Sequence, residues 1–280
     1  MRIKDFRIAC KTNEALSFLK EFGESAFLIA GGTSTYFIKS KIPRIAIDIN
    51  RIPNKEIKKE KNFFRIGAGA SINDLLKYSG DGWVLNKVAR YFVNQQFRNI
   101  STIGGNISRV FYWSDFPVVL RIFEGKLLLT GEKTNKIKIE DAFYNITRHK
   151  RFFKDTILEL IEIPALGKGE GFGYFKETRT SQAFSSATVA AYIKIENKQI
   201  SDLKISIGAV LPFPMRLFEI EKILIGKNAD IGSLKYVDFN LLNKYKIIPR
   251  ENMSLDYCIH LLKTRICDVL SEAIDDAVKR

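Results

Sequence analysis

Apolar and polar positions follow two rhythms along this chain, and the places where the rhythm changes predict its elements. In NEALSFLKEF, residues 13–22, apolar residues return every three or four positions, which predicts a short amphipathic helix. Gly23 follows where a helix can end in left-handed backbone. The run AFLIA at 26–30 is short and continuously apolar, a buried strand ending in Gly31 and Gly32. RIAIDI at 44–49 alternates and is rich in branched residues, and it reads as a second strand. FFRIGAGAS at 63–71 predicts a strand leading into Ser71-Ile72-Asn73-Asp74, where a serine and an acid three positions on can cap a helix.

Further helices are expected over 83–92 and in VVLRIF at 118–123, and a hairpin over KLLLTGEKTNKIKI at 126–139. A strand is expected in ILELIEIP at 157–164. In ALGKGEGFG, residues 165–173, four glycines alternate with other residues without forming a phosphate-loop or dinucleotide fingerprint, so the run reads as a flexible crossing between domains. Beyond it lie FKETRTS, strand-like ATVAAYIKIE and KISIGAVL, a helix in RLFEIEKILIG, and a terminal helix beginning near Ser254. The pattern is α+β: one domain over 1–168, with subdomains of about 1–56 and 57–168, and a smaller α+β domain over 169–280.

Composition narrows the chemistry. The 280 residues are 46% hydrophobic, enough for buried cores. The formal charge of +14 suits an anionic ligand, nucleic acid or an acidic partner. The lysines of KKEK at 58–61 and GEKTNKIKIE at 131–140 are expected on loops, dispersed over a solvated surface and not gathered on one helix with interleaved aromatics as in a nucleic-acid stripe. Cys10, Cys258 and Cys267 are an odd set without C-x-x-C spacing, so neither a disulfide framework nor a cysteine-held cluster is encoded. His149 and His260 lack a second histidine at ligand spacing, and no metal site is expected. No membrane span or signal region is apparent, which makes the cytoplasm the expected compartment.

Two glycine pairs carry the main question. LIAGGTST at 28–35 and TIGGN at 102–106 each place two glycines after branched apolar residues, and both are expected as tight turns following strands. Glycine lets the main chain approach a ligand without a Cβ in the way, and successive amides in such a turn can form a nest for an anion. If the fold brings the turns together, they can hold the two phosphates of one pyrophosphate, with Thr33, Ser34, Thr102 and Asn106 adding side-chain donors. Each turn by itself is also compatible with a plain glycine turn.

An ordered series of motifs resembles a known family. AGGT (30–33), IDINRIP (47–53), IGAGASINDL (66–75), QFRNISTIGGNI (96–107), IEIP (161–164), FKETR (175–179), KISIGAVLPFPMR (204–216) and Leu255-Asp256-Tyr257 run in the order and approximate spacing of the FAD-binding, medium subunit of the molybdenum hydroxylases, the family of xanthine dehydrogenase and carbon monoxide dehydrogenase. The resemblance implies a two-subdomain FAD-binding domain of the vanillyl-alcohol-oxidase (PCMH) type, followed by a domain of the carbon monoxide dehydrogenase flavoprotein type. It further implies an oxidoreductase subunit that carries FAD non-covalently and passes electrons from [2Fe-2S] clusters of a small partner to NAD or another acceptor. Molybdopterin would lie on a large partner, and no nucleic acid is expected.

The resemblance also assigns roles. Leu28, Ile29, Ala30, Gly31, Gly32, Thr33, Ser34 and Thr35 would form the first pyrophosphate loop, and Thr102, Ile103, Gly104, Gly105 and Asn106 the second. Phe92, Asp115, Leu158 and Lys176 match further FAD-contacting positions, and a cation at Lys176 would favour negative charge on the reduced ring. No catalytic residue is assigned. As alternatives, Phe92 suits a helix core and Asp115 can cap the helix after it. The chain departs from the family at SRVFYWS (108–114), where small residues and a Ser-Pro pair are usual, and at Gln182-Ala183-Phe184, where many relatives carry an acid. The aromatic insertion would cover the flavin or pack on a partner subunit. Three other readings stand beside this one: a stand-alone flavin reductase, a scaffold subunit without FAD, and a basic nucleic-acid-binding protein.

Overall fold

The structure is a computed structural model that describes residues 2–37, 40, 42–250 and 253–280. The chain forms two compact units. The first contains Met1–Tyr78, Phe92–Arg109 and Gly125–Ile163; the second contains Ser79–Tyr91, Val110–Glu124 and Pro164–Arg280. The units therefore interleave along the sequence, with two segments from the first half of the chain belonging to the second unit.

The first unit holds two sheets. Strands β1 (Ile3–Ile8), β2 (Ala26–Ile29) and β3 (Arg44–Asp48) form a parallel sheet in the order β1-β3-β2. Helix α1 (Thr12–Phe22) packs on it through Ala15, Leu16, Leu19 and Phe22, over Ala26 and Ile47, and Gly23 ends the helix at φ 51°. Burying one apolar stripe of a short helix on a sheet stabilises both, since neither is stable alone.

The other sheet is ordered β4-β5-β8-β6-β7, with β4 (Ile57–Glu60), β5 (Phe63–Gly67), β6 (Lys126–Thr130), β7 (Thr134–Lys138) and β8 (Ile157–Pro164). Lys58, Lys59 and Glu60 thus belong to edge strand β4, not to a loop. Charged side chains suit such an edge because they discourage pairing with another chain. Lys136 and Lys138 lie in β7 at the opposite edge for the same reason. As the serine-acid spacing predicted, Ser71 and Asp74 form a reciprocal capping box at the start of α2 (Ile72–Lys77).

The segment RNISTIGGN is not a turn after a strand. It is a junction between helices α4 (Gln95–Ile100) and α5 (Ile103–Ser108), joined by extended Ser101 and Thr102; α3 (Leu85–Arg90), which precedes both in the chain, belongs to the second unit. Asn94 caps α4 through the Phe97 amide, and the Thr102 hydroxyl oxygen caps α5 by accepting from the Gly105 amide at 3.1 Å. Glycine is a poor helix former, and contacts with the rest of the unit override its preference here.

The second unit is built on an antiparallel sheet, ordered β12-β11-β10-β9 from β9 (Glu170–Glu177), β10 (Ala187–Glu196), β11 (Gln199–Gly208) and β12 (Met215–Arg216). Helices α7 (Ile139–Ala142) and α8 (Ile146–Phe153) belong to the first unit, and α6 (Asp115–Leu120), α9 (Phe218–Leu224) and α10 (Leu255–Lys279) to the second. The long α10 packs through Leu262, Ile266, Val269 and Ala273 against Val189, Ala191 and Ile193 of β10. The second part of the glycine run expected to be a flexible crossing is strand: Gly171 and Gly173 lie in β9, while Gly167 and Gly169 precede it. A Cβ on Gly171 would meet the Ala273 carbonyl oxygen at 1.9 Å, and one on Gly173 the Val269 carbonyl oxygen at 2.0 Å, so these glycines let α10 sit on the strand.

Candidate functional site

In the first unit the two glycine segments meet. Strand β2 delivers its chain end to Gly31, and an added Cβ there would stand 1.8 Å from the Ile100 carbonyl oxygen, at the end of α4. The Ser101 hydroxyl donates to Thr33 Oγ1 at 3.2 Å. Gly31 and Thr33 are thus held against the residues that lead into TIGGN, seventy positions along the chain. Gly32 turns the backbone at φ 68°, a left-handed conformation that favours glycine. Thr35 closes the turn, its amide donating to the Gly32 carbonyl at 3.1 Å and its hydroxyl at 2.7 Å.

The two segments differ in what they leave for a ligand. Among the described residues none accepts a hydrogen bond from the amides of Gly31, Gly32, Thr33 or Ser34. The amides of Ile103 to Asn106 are committed. Ile103 donates to Ala70 at 3.0 Å, Gly104 to Ala68 at 2.9 Å, Gly105 to the Thr102 hydroxyl oxygen at 3.1 Å, and Asn106 to the Thr102 carbonyl at 3.1 Å. Gly104 instead permits close packing, since its Cβ would meet the Ala68 carbonyl oxygen at 2.6 Å. The Thr102 amide and hydroxyl proton have no acceptor among the described residues, and Asn106 Oδ1 is buried with no partner among them.

The first turn fits a pyrophosphate, since amides without an acceptor among the described residues around a left-handed glycine are the donor set of an anion nest, whereas Asn106 Oδ1 is itself an acceptor and calls for a donor that a pyrophosphate does not supply. Leu28 and Ile29 support the turn from β2, and the Ala30 carbonyl accepts from Asn50 at 2.8 Å. Leu158 is buried in β8 of the same unit. Phe92 precedes α4, and its carbonyl accepts from Arg98 at 2.9 Å.

Asp115 and Lys176, 61 positions apart, meet in the second unit. Asp115 occupies the first turn of α6, where a carboxylate is favoured by the helix dipole. Its Oδ2 accepts from Lys176 Nζ at 2.9 Å and its Oδ1 from the Tyr174 hydroxyl at 2.9 Å. Both members of the ion pair are buried, with side-chain exposures of 3% and 6%. Burial raises the Tyr174 hydroxyl well above the ordinary phenol value, and the Asp115 charge and hydrogen bond add to it. Tyr174 thus stays protonated and serves as a donor. Nothing in the spacing of the sequence singled it out; its position two residues before Lys176, on the same face of β9, is the signal that could have done so.

The two departures from the family pattern also meet in this unit. Trp113 stacks on Phe111 with centroids 4.6 Å apart and on Phe184 at 4.2 Å, while Arg250 lies over Tyr112 at 4.0 Å. The aromatic insertion therefore packs within its own unit, and Phe184 fills out the stack. Among the described residues no group of three or more His, Cys, Asp or Glu side chains is placed to hold a metal ion. Nor, among those residues, is any helix long and apolar enough to cross a membrane. Cys10 is exposed, Cys258 buried and Cys267 half-buried, all as free thiols.

Residues 4–166 match the model of the FAD binding domain in molybdopterin dehydrogenase, and residues 173–264 that of the CO dehydrogenase flavoprotein C-terminal domain. The glyceraldehyde dehydrogenase medium chain of Sulfolobus acidocaldarius is 32% identical over 234 residues, 79% of this chain and 81% of that one. The carbon monoxide dehydrogenase medium chain of Hydrogenophaga pseudoflava is 28% identical over 221 residues, covering 76% and 77% of the two chains. A solved carbon monoxide dehydrogenase chain from Hydrogenophaga pseudoflava superposes with a TM-score of 0.89 at 24% identity, over 99% of this chain and 98% of that one. Quinoline 2-oxidoreductase from Pseudomonas putida 86 gives a TM-score of 0.84 at 18% identity, over 99% of this chain and 100% of that one. These two likenesses concern the fold.

Proposed function

The chain belongs to the family of FAD-binding subunits of the molybdopterin dehydrogenases, and from that premise we propose that it is the electron-transferring medium subunit of a three-part molybdenum hydroxylase. The observation that carries the proposal is the first glycine turn, held against Ile100 and Ser101, in which the amides of Gly31 to Ser34 have no acceptor among the described residues. A pyrophosphate there receives the amides of Gly31 to Ser34, with the hydroxyls of Thr33, Ser34 and Thr102 as further donors.

FAD held there would supply the redox chemistry, a relay of electrons from [2Fe-2S] clusters on a small partner to NAD or another acceptor. The chain's residues bind and tune. Lys176 is assigned to the cofactor by its place in FKETR, and Asp115 holds its ammonium in one position. Because Asp115 neutralises Lys176, the pair brings a directed dipole and little net charge. Relatives named as medium chains support a large molybdopterin subunit and a small iron–sulfur subunit as partners.

The test is an absorption spectrum after adding FAD and removing the excess, for the wild type and for Gly32→Asp with Gly105→Asp. Flavin bands in the wild type and none in the variant are expected, since two carboxylates would enter the anion site. Equal retention by both proteins would sink the proposed clasp. A wild type that retains no flavin even with its partners present would favour the scaffold reading.

A further inference from the structure

Strand register explains how Tyr174, Asp115 and Lys176 meet in the second unit. Tyr174 lies opposite Ala190 and Lys176 opposite Thr188, and Thr188 lies in turn opposite Gly208. These residues share the face of the sheet turned away from α10, because side chains alternate along a strand and Gly171 and Gly173 are pressed against that helix. Ala190 and Gly208 are small, and a Cβ on Gly208 would stand 2.4 Å from Val118 of α6. The helix therefore sits close enough for Asp115, in its first turn, to reach both Tyr174 and Lys176.

The Tyr174 ring is fixed from two sides, edge-on to Tyr91 with centroids 5.6 Å apart and stacked on Phe172 at 6.4 Å. Its buried hydroxyl stays protonated and gives its hydrogen bond to the carboxylate. A carboxylate that accepts from a phenol on one oxygen and from an ammonium on the other divides its charge between them. With the phenol hydroxyl removed, more of that charge faces Lys176, and in a buried site the change is weakly screened. Two electrons and one proton leave a flavin ring with one negative charge, which a less compensated ammonium stabilises better.

We infer that Tyr174 is a positioning residue for the electron-transfer reaction: through Asp115 it sets how much of the Lys176 charge reaches a bound flavin, and so raises the flavin's preference for the reduced state. The inference rests on the reading of the chain as an FAD subunit in which Lys176 serves the cofactor. Its test is the reduction potential of the full chain loaded with FAD, read by equilibration with a redox dye of known potential. The proteins compared are the wild type, Tyr174→Phe, and a protein with fluorotyrosine placed at this one position. Phenylalanine keeps the ring and its aromatic contacts while removing the donor. Fluorotyrosine has a more acidic hydroxyl and donates more strongly in the same place.

The equilibrium constant for flavin reduction is expected to fall at least about threefold in Tyr174→Phe and to rise with fluorotyrosine, while FAD is retained in both. Both shifts should vanish when Lys176→Met and Asp115→Asn are made together, a background that leaves no charge buried alone. Equal potentials in the three proteins overturn the inference. Shifts of the same sign, or shifts that survive in the uncharged background, also overturn it, since a purely structural role would give them. If Tyr174→Phe does not fold, the fluorotyrosine protein decides, and an unchanged potential there overturns the inference. An uncharged background with the wild-type potential removes Lys176 from the flavin, and a wild type that binds no flavin removes the FAD reading. Each of these takes the inference with it and is distinct from failure of Tyr174 alone.

Discussion

At the scale of residues, individual contacts decide what a glycine or a histidine is for. Gly31 and Gly32 are neighbours with different reasons to lack a side chain. Gly31 is pressed against the Ile100 carbonyl, and Gly32 has open space but a left-handed backbone. His149 has a structural role. It is buried, its Nε2 is 2.8 Å from the Ile107 carbonyl oxygen, and its ring stacks on Phe153 at 4.4 Å. Burial lowers its pKa below the ordinary 6.5, only partly opposed by the Ile107 hydrogen bond.

The unfolded chain therefore binds a proton at His149 more readily than the folded one, so stability is full above pH 6.5 and falls as the pH drops toward the folded value. Melting temperatures measured from about pH 7.5 down to about pH 5 should fall for the wild type and fall less for His149→Gln, which keeps a hydrogen-bond donor without a titrating ring. Equal falls would assign the pH dependence to other groups.

At the scale of elements, short pieces were recognisable in proportion to how regular their pattern was. Helix α1, strands β2, β3 and β8, the Ser71 capping box and the Ser254 cap of α10 follow local rules of periodicity and hydrogen bonding. Strand β1 does not stand out in the sequence, because a solvent-exposed edge with a bulge has no clean alternation. Strand β9 was hidden by its glycines, which serve the helix above them. Gly173→Ala should destabilise the protein by about 2 kcal/mol or more, a fall of roughly 4–8 °C in melting temperature, because a Cβ 2.0 Å from the Val269 carbonyl oxygen forces α10 off the strand. A thermal melt checks it, and a change of under a degree would mean that the helix shifts freely.

At the scale of the whole molecule, the charge of +14 is the broadest property and the least specific. Several of its cations are engaged locally: Lys176 with Asp115, Arg216 with Glu221 at 2.6 Å, Arg265 with Glu177 at 2.8 Å, and Lys204 with Glu124 at 2.8 Å. The lysines of β4 and β7 lie on the two outer edges of one sheet. Single- and double-stranded oligonucleotides of about 20 residues should accordingly show no mobility shift at about 150 mM salt, while the same preparation retains flavin. Salt-dependent binding by a colourless protein would reverse that assignment.

Local pattern and motif order determined the membership in a FAD-binding family, the α+β class and most of the regular elements, because periodicity, capping and glycine turns act over a few residues. They also marked Asp115, Lys176 and the two glycine pairs one by one. Only the tertiary structure decided how these residues are used. It made TIGGN a helix start in which the amides of Ile103 to Asn106 are committed, while those of Gly31 to Ser34 have no acceptor among the described residues. It paired Asp115 with Lys176 and Tyr174, and stacked Trp113 on Phe184. Each of these outcomes depends on register and packing between residues far apart in the chain, and no local rule of periodicity or capping carries that information.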